Sequence, residues 1–265
     1  MIKIHKDLTT IPKSLVKGST LSKRQGVIAK GFPKVSSSSS DKEKKELKEY
    51  EKRFKSSDIK KSLKELYKNK CAFCEEQVRA CINNELEDCS STVEHYRPKS
   101  IYYWLAYSWD NLLWCCYRCN QNKDNSFDVT KQLGTFDKKT FLNKDKNRIH
   151  NTFKIYHRIE KPFMIHPELE SVLNKLTFVN GIIDSTDSRV KYTINTCKLD
   201  RADLNEKRLK ILEDFIMKAR KRNRLNKSYE DILDNLKKDF KDDKSEFRAL
   251  KYWILMNHIS LVEEN

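Results

Sequence analysis

The sequence predicts an α+β fold in which a compact centre of short strands lies between mainly helical N- and C-terminal segments. Three observations predict this class. Apolar residues recur three and four positions apart on both flanks, as in amphipathic helices. Short runs typical of strands lie between the flanks. Most of the cysteines and tryptophans fall within residues 70–128, which marks that stretch as the compact centre.

Five consecutive segments follow from these patterns. They are residues 1–40, an extended arm and serine-rich linker; 41–69, N-terminal helices; 70–135, the compact core; 136–196, an irregular segment with short strands; and 197–265, a C-terminal helical region. The predicted strands of the fourth segment lie within "KLTFVN" and "GIIDS".

Apolar spacing predicts two N-terminal helices between residues 42 and 67, with a break at residues 56–58. Ser40 or Asp41 is the predicted N-cap of the first helix. Near the C-terminus two apolar stripes predict further helices. The stripes are Leu204, Leu209, Leu212, Phe215 and Ile216, and then Ile232, Leu233 and Leu236. Such stripes could dock a partner or simply close the fold.

The charge balance points toward polyanions. The chain has 265 residues, with 54 Lys+Arg against 38 Asp+Glu, a net charge of +16. This charge attracts nucleic acid, although a merely well-solvated protein could carry it too. No apolar run is long enough for a membrane span, and the first residues lack the apolar block of a secretory signal. We therefore expect a cytoplasmic protein, or a nuclear one if the source has a nucleus. The G-x-x-x-x-G-K-[ST] pattern is absent from the sequence, so nucleotide hydrolysis would need another chain.

Two C-x-x-C pairs predict a metal site. They are "CAFC", with Cys71 and Cys74, and "CYRC", with Cys116 and Cys119. Two such turns supply the four thiolates of a closed, structural zinc site. The alternative is that some of these cysteines are small buried hydrophobic residues, and the presence of two pairs favours zinc.

Four further cysteines have no partner at metal-binding spacing: Cys81, Cys89, Cys115 and Cys197. We expect them to be core residues. A disulfide between Cys81 and Cys89 is the alternative, and it is disfavoured in the cytoplasm.

The stretch "VEHYRPKSIYYWLAYSWDNLLWCCYRCNQNKDNSF" resembles the HNH, or ββα-metal, nuclease family in its H-N-N form. The resemblance implies a ββα-metal core that includes the zinc knuckles. It assigns His95 as the general base and Asn111 as the residue that positions His95. It assigns Asn120 to the catalytic residues and makes Glu94 and Asn120 the ligands of a catalytic divalent ion. On availability we expect this ion to be Mg²⁺, with Mn²⁺ next.

Hydrolysis of a phosphodiester explains these residue types. A neutral histidine can take a proton from water near neutral pH, and carboxylate and amide oxygens suit a hard divalent ion. In an ideal strand Glu94 and His95 point to opposite faces, so a role for Glu94 predicts a bent or bulged strand. The alternatives are a satisfied surface histidine with turn and cap asparagines, or a degenerate domain that binds DNA without cutting it.

Basic and aromatic residues surround the motif. Arg97, Lys99, Arg118 and Lys123 could contact phosphates or form an ordinary solvated face. We expect the aromatic residues to pack the core rather than to stack on bases. These are Tyr102, Tyr103, Trp104, Trp109 and Trp114.

A closer resemblance covers roughly residues 65 to 215. "CAFCE", "TVEHYRPKS", "FMIHPELE" and "TINTCKLDRADLNEKR" occur in an order similar to the HNH subunits of Septu-type antiphage systems (PtuB-like) and of retron-associated HNH proteins. Cys197 and the serine-rich start depart from the usual pattern.

The closer resemblance implies a metal-dependent endonuclease in antiphage defence, with DNA as the favoured substrate. It implies an ABC-type ATPase (PtuA-like) as the partner, which agrees with the missing P-loop. The alternatives are the same chemistry on RNA or tRNA, or a catalytically silent, zinc-stabilised nucleic-acid-binding or adaptor module.

Overall fold

Helices make up most of the N-terminal part of the chain. The computed structural model describes residues 1–78, 91–136 and 148–263. The first helices are α1 Lys13–Val16, α2 Gly18–Lys30, α3 Asp41–Phe54 and α4 Ser57–Leu66. The serine-rich stretch that ends at Ser40 lies outside helices and strands.

Helix α2 shows that the extended arm predicted for residues 1–40 is wrong over much of its length. The buried side of α2 carries Thr20, Arg24 and Val27, of which only Val27 is apolar. The sequence therefore lacked the apolar periodicity that would have indicated a helix. Polar contacts hold α2 instead, since the Arg24 guanidinium donates to the Tyr107 carbonyl oxygen at 2.7 Å.

The predicted start of α3 is confirmed. Ser40 is the N-cap, and its hydroxyl accepts from the Glu43 amide while the Glu43 carboxylate accepts from the Ser40 amide. This reciprocal pair satisfies two amide groups that would otherwise lack helical partners. The predicted break is confirmed but lies slightly earlier, at residues 55–56, because α3 ends at Phe54 and α4 begins at Ser57.

Two antiparallel strands and a short helix form the centre. Strand β1 Ser91–His95 pairs with β2 Leu112–Cys116 in a continuous register, from Ser91 opposite Cys116 to His95 opposite Leu112. Helix α5 Tyr117–Lys123 follows β2 directly and packs on the sheet. This order of two strands and a helix is what a ββα unit requires. The more specific HNH assignment stays a prediction.

The region predicted as irregular contains two helices, α6 Phe153–Glu160 and α7 Ser188–Cys197, which the sequence analysis missed. The start of α6 is capped from a distance, because the Asp110 carboxylate accepts from the amides of Thr152 and Phe153. A cap that lies far away in the sequence leaves no local signal for the helix.

The predicted strands in the same region are confirmed as a hairpin, β3 Thr177–Val179 and β4 Ile182–Asp184. Its two-residue turn, Asn180–Gly181, has positive φ angles of 50° and 77°. Such a turn matches the twist of a hairpin. A side chain at Gly181 would also collide with the backbone of Asn205, so glycine is required here.

The C-terminal region is helical, as predicted. It comprises α8 Ala202–Arg224, α9 Glu230–Lys241 and α10 Arg248–Glu263. Within the first predicted stripe Leu204, Leu212 and Phe215 are buried, whereas Leu209 and Ile216 are only half-buried. Among the described residues, no helix combines the length and the apolar character needed to cross a bilayer.

Candidate functional site

Two turns bring four cysteine sulfurs together. Cys71 and Cys74 lie in the turn that follows α4, Cys116 ends β2, and Cys119 lies in the first turn of α5. Their four Sγ atoms all lie within 4.8 Å of one another. Four thiolates at this spacing are a donor set that zinc prefers in closed sites. The predicted cluster is confirmed, and its donors fit a metal ion such as zinc.

The remaining cysteines lie outside the cluster where the structure describes them. Cys115 is fully buried, with its Sγ 3.7 Å from that of Cys71. Cys197 is fully buried in α7. Both placements agree with the prediction that they are core residues. Cys81 and Cys89 fall outside the described residues.

An arginine that the sequence analysis missed supports the cluster. The Nη1 of Arg201 donates to the Cys119 Sγ at 3.4 Å, across 82 positions of the sequence. Burial alone would lower the pKa of Arg201, but the neighbouring cysteine sulfurs raise it above its usual value. A zinc ion with four thiolates carries a net negative charge, so this cation stabilises the sulfurs in their metal-binding form.

His95 ends β1 and is almost fully buried. Its Nε2 lies 2.9 Å from the carbonyl oxygen of Ala106. A carbonyl oxygen only accepts, so Nε2 carries the hydrogen and the lone pair of the neutral ring lies on Nδ1. Burial, reinforced by the charge of Lys99, holds the pKa of His95 well below its usual value. The imidazole is therefore neutral near pH 7, the form in which it can accept a proton.

Phe54 covers the His95 ring. The two rings meet edge to face with centroids 4.5 Å apart, and Phe54 is almost fully buried at the end of α3. This contact desolvates the imidazole and contributes to its low pKa. Phe54 lies far from the motif in the sequence, so this contact was not predictable from local patterns.

Asn111 ties together the loop that follows β1. Its Oδ1 accepts from the Arg97 amide at 2.8 Å, and its Nδ2 donates to the carbonyl oxygens of Arg97 and Leu105 at 3.1 and 3.3 Å. The residue after Leu105 is Ala106, whose carbonyl fixes the His95 tautomer. This geometry supports the positioning role predicted for Asn111.

Replacing Asn111 with alanine should therefore weaken both the fold and the site. The buried Arg97 amide would lose its acceptor, and an unsatisfied buried group costs about 1–3 kcal/mol. We expect that loss in the free energy of unfolding measured with urea. Asn257→Ala is the control, because the half-buried Asn257 side chain in α10 donates to the Trp253 carbonyl one helical turn earlier, and its loss should change the free energy of unfolding much less. An Asn111→Ala protein with wild-type stability would contradict the tethering role.

Glu94 lies on the opposite face of β1 from His95. The register of β1 with β2 is continuous, so the bulge that a shared site would require is absent from this strand pair. The Glu94 carboxylate instead faces α5, where its Oε1 lies 2.8 Å from the Nζ of Lys123. Burial raises the pKa of Glu94, and the Lys123 ammonium opposes that rise.

Asn120 also lies over this face, and its Nδ2 donates to the Thr92 hydroxyl at 2.9 Å. The two predicted ligands of a divalent ion, Glu94 and Asn120, thus each have a protein partner. Within the described residues, the four cysteines form the one group of three or more His, Cys, Asp or Glu side chains close enough to hold an ion. As folded here, these residues do not fit a ready-made divalent-ion site.

The four basic residues predicted to contact phosphate have different environments. Arg97 is buried in an ion pair with Glu160 at 2.8 Å, and Lys123 is buried against Glu94. Lys99 is half-buried beside Phe54. Arg118 is partly exposed and pairs with Asp203. In this conformation phosphate cannot reach Arg97 or Lys123, so the geometry does not support that role for them.

Replacing Arg97 with methionine should destabilise the protein strongly. It would leave the fully buried Glu160 carboxylate without its partner, and breaking one side of a buried pair costs about 3–5 kcal/mol. Urea denaturation measures this loss. Arg222→Met removes an exposed pair with Asp231 and should cost less than about 1 kcal/mol. If Arg97→Met instead kept full stability and weakened DNA binding, the phosphate-contact prediction would hold.

Comparison with known proteins identifies two similar sequences. Septu protein PtuB of Bacillus mycoides (strain KBAB4) is 28% identical over 182 residues, which cover 62% of this chain and 54% of the relative. Septu protein PtuB of Bacillus thuringiensis is 29% identical over 145 residues, which cover 55% of this chain and 42% of the relative. The chain spans about half the length of the curated relatives it matches.

No protein-family model and no solved structure matches the chain. The predicted relationship to Septu PtuB proteins is confirmed by the two similar sequences. The likeness to HNH nucleases as a family stays a prediction from the motif.

Proposed function

We propose that the protein is an endonuclease that hydrolyses phosphodiester bonds of nucleic acid, with His95 as the general base. The observation that carries the proposal is the hydrogen bond from His95 Nε2 to the Ala106 carbonyl oxygen. It fixes the tautomer with the hydrogen on Nε2, and burial of the ring favours its neutral form. The lone pair then lies on Nδ1, which is what removal of a proton from water requires.

The residues around His95 support this chemistry in defined ways. Nδ1 would take the proton of the attacking water, while the Ala106 carbonyl stabilises the ring once it is charged. Asn111 holds the loop that carries Ala106 in place. A divalent ion, with Mg²⁺ favoured on availability and Mn²⁺ next, would supply charge stabilisation at the phosphate. Its predicted ligands Glu94 and Asn120 contact Lys123 and Thr92 instead of an open ion site.

We place this activity in antiphage defence because the similar proteins are Septu PtuB proteins. The Septu-type resemblance implies an ABC-type ATPase as the partner, and the absence of a P-loop pattern from the sequence is consistent with that arrangement. DNA is the proposed substrate, and RNA, including tRNA, is the alternative with the same chemistry.

A second candidate is a zinc-stabilised module that binds nucleic acid or the partner without cutting. Two observations favour it: Lys123 engages the Glu94 carboxylate, and Phe54 covers His95. In that case the ββα unit would still fold but would not hydrolyse phosphodiester bonds.

A cleavage assay separates the two candidates. The purified protein is incubated with supercoiled plasmid, linear DNA or tRNA, with Mg²⁺, Mn²⁺ or EDTA, and with or without the cognate ATPase. We expect nicking or cleavage of DNA in the presence of the ATPase and a divalent ion. Retained binding with no cleavage of any substrate would favour the silent module, and cleavage of tRNA alone would move the substrate to RNA.

A further inference from the structure

Lys123 is an unusual residue for the last turn of α5, because its side chain is completely buried. Its Nζ donates to the Glu94 Oε1 at 2.8 Å and to the His95 carbonyl oxygen at 2.9 Å. A buried ammonium is costly unless it is paired, so the Glu94 carboxylate and Lys123 stabilise each other. The lysine thereby fixes the backbone at the end of β1, where His95 begins its turn into the loop.

The ammonium lies beside one predicted divalent-ion ligand, Glu94, on the face of β1 that the other, Asn120, also contacts. Lys123 follows Asn120 by three positions, so both side chains lie on the same side of α5. This side faces Thr92 and Glu94, which alternate along one face of β1. Asn120 contacts Thr92, and Lys123 contacts Glu94. The positive charge beside Glu94 is therefore supplied by the chain itself.

A divalent ion and this ammonium would repel each other strongly at the same carboxylate. Both would lie within a few ångströms of each other in a buried, weakly screened environment. No other carboxylate joins Glu94 in an ion-binding group within the part of the chain that the structure describes. The single negative charge of the carboxylate balances the ammonium and would not balance a divalent ion as well. The lysine is part of the chain, so it is always present at the site.

We propose that Lys123 is the cation of this site and that it excludes a divalent ion from Glu94, so that Lys123 sets the metal affinity of the site. The proposal rests on the proposed function only in taking Glu94 as the carboxylate that a catalytic ion would use. A bound ion at Glu94 requires the lysine side chain to leave its pocket between α5 and β1.

Binding of Mn²⁺ alone tests this without any substrate, so the result is independent of whether the protein cuts. The zinc-loaded protein is titrated with Mn²⁺, and the free ion is followed by electron paramagnetic resonance. We expect Lys123→Gln and Lys123→Met to bind Mn²⁺ at least about tenfold more tightly than wild type. The double variant Glu94→Gln/Lys123→Gln should lose that gain, because the gain depends on the carboxylate.

Lys175→Gln is the matched control, since it removes a lysine from an exposed pair with Asp187 and leaves Glu94 untouched. Its Mn²⁺ affinity should equal that of wild type. Unchanged affinity in folded Lys123 variants, or a gain that survives Glu94→Gln, overturns the proposal. Zinc content and thermal melting identify which variants are folded.

A second measurement needs no substitution of the lysine. With Lys123 present, the single variant Glu94→Gln should bind Mn²⁺ as weakly as the wild type does, because the Glu94 carboxylate of the wild type is already paired with the Lys123 ammonium. A loss of Mn²⁺ binding in Glu94→Gln would show that the ion reaches Glu94 beside the lysine, and the proposal would then be wrong. Loss of cleavage in this variant bears on the proposed function alone.

Discussion

Replacing His95 with alanine is expected to abolish cleavage while leaving nucleic-acid binding in place. Loss of a general base lowers rates by about 10²–10⁴-fold, and here the imidazole is held in one tautomer by the Ala106 carbonyl. The cleavage assay with the ATPase present measures the rate, and a gel-shift assay measures binding. His95→Gln is a second variant that fills more of the space beside Phe54 and should be equally inactive.

His5→Ala is the control for this experiment, because His5 is exposed and lies outside the motif. It should cut at the wild-type rate. Cleavage that survives in folded His95→Ala would mean that another group removes the proton, or that the activity comes from a contaminant. Either result would remove the basis of the proposed function.

Replacing Cys74 with serine is expected to cost the protein its zinc and most of its central structure. Zinc bound to four thiolates contributes roughly 10–16 kcal/mol of apparent binding free energy in small zinc domains. This is comparable with the whole unfolding free energy of an ordinary protein, about 5–15 kcal/mol. We expect zinc content measured by mass spectrometry to fall from about one ion per chain toward none, together with a large drop in melting temperature.

Cys197→Ser is the matched control, because Cys197 is equally buried but lies outside the sulfur cluster. It should keep its zinc and lose only the modest stability expected of a buried hydroxyl. Full zinc content in Cys74→Ser would show that the cluster does not need all four cysteines.

The sequence was most informative where the signal was local. The capping pair at Ser40 and the Asn180–Gly181 turn depend on neighbouring residues, and so does the spacing within each C-x-x-C turn. In each case the chemistry that stabilises the feature lies within a few residues, so a single sequence is enough to predict it.

Contacts between distant segments were not predictable. Helix α2 is held by Arg24 on a loop carbonyl, and the start of α6 is capped by Asp110 from another loop. The pairing of Lys123 with Glu94 likewise depends on how α5 packs on β1. Periodicity and motif spacing carry no information about such partners. A lysine or arginine has the same place in these patterns whether its side chain is exposed or buried.

Helix α5 is only seven residues long, yet it contributes residues both to the metal cluster and to the contacts with β1. Cys119 faces the sulfur cluster, and Asn120 and Lys123 face β1. A helix this short does not persist in water by itself, so its orientation must come from what it contacts at both ends. We expect a newly synthesised chain to stay inert until it has captured its metal. Under the proposed function, the supply of that metal would then determine when the site becomes active, and a copy that lacks its metal would not cut the host's own nucleic acid.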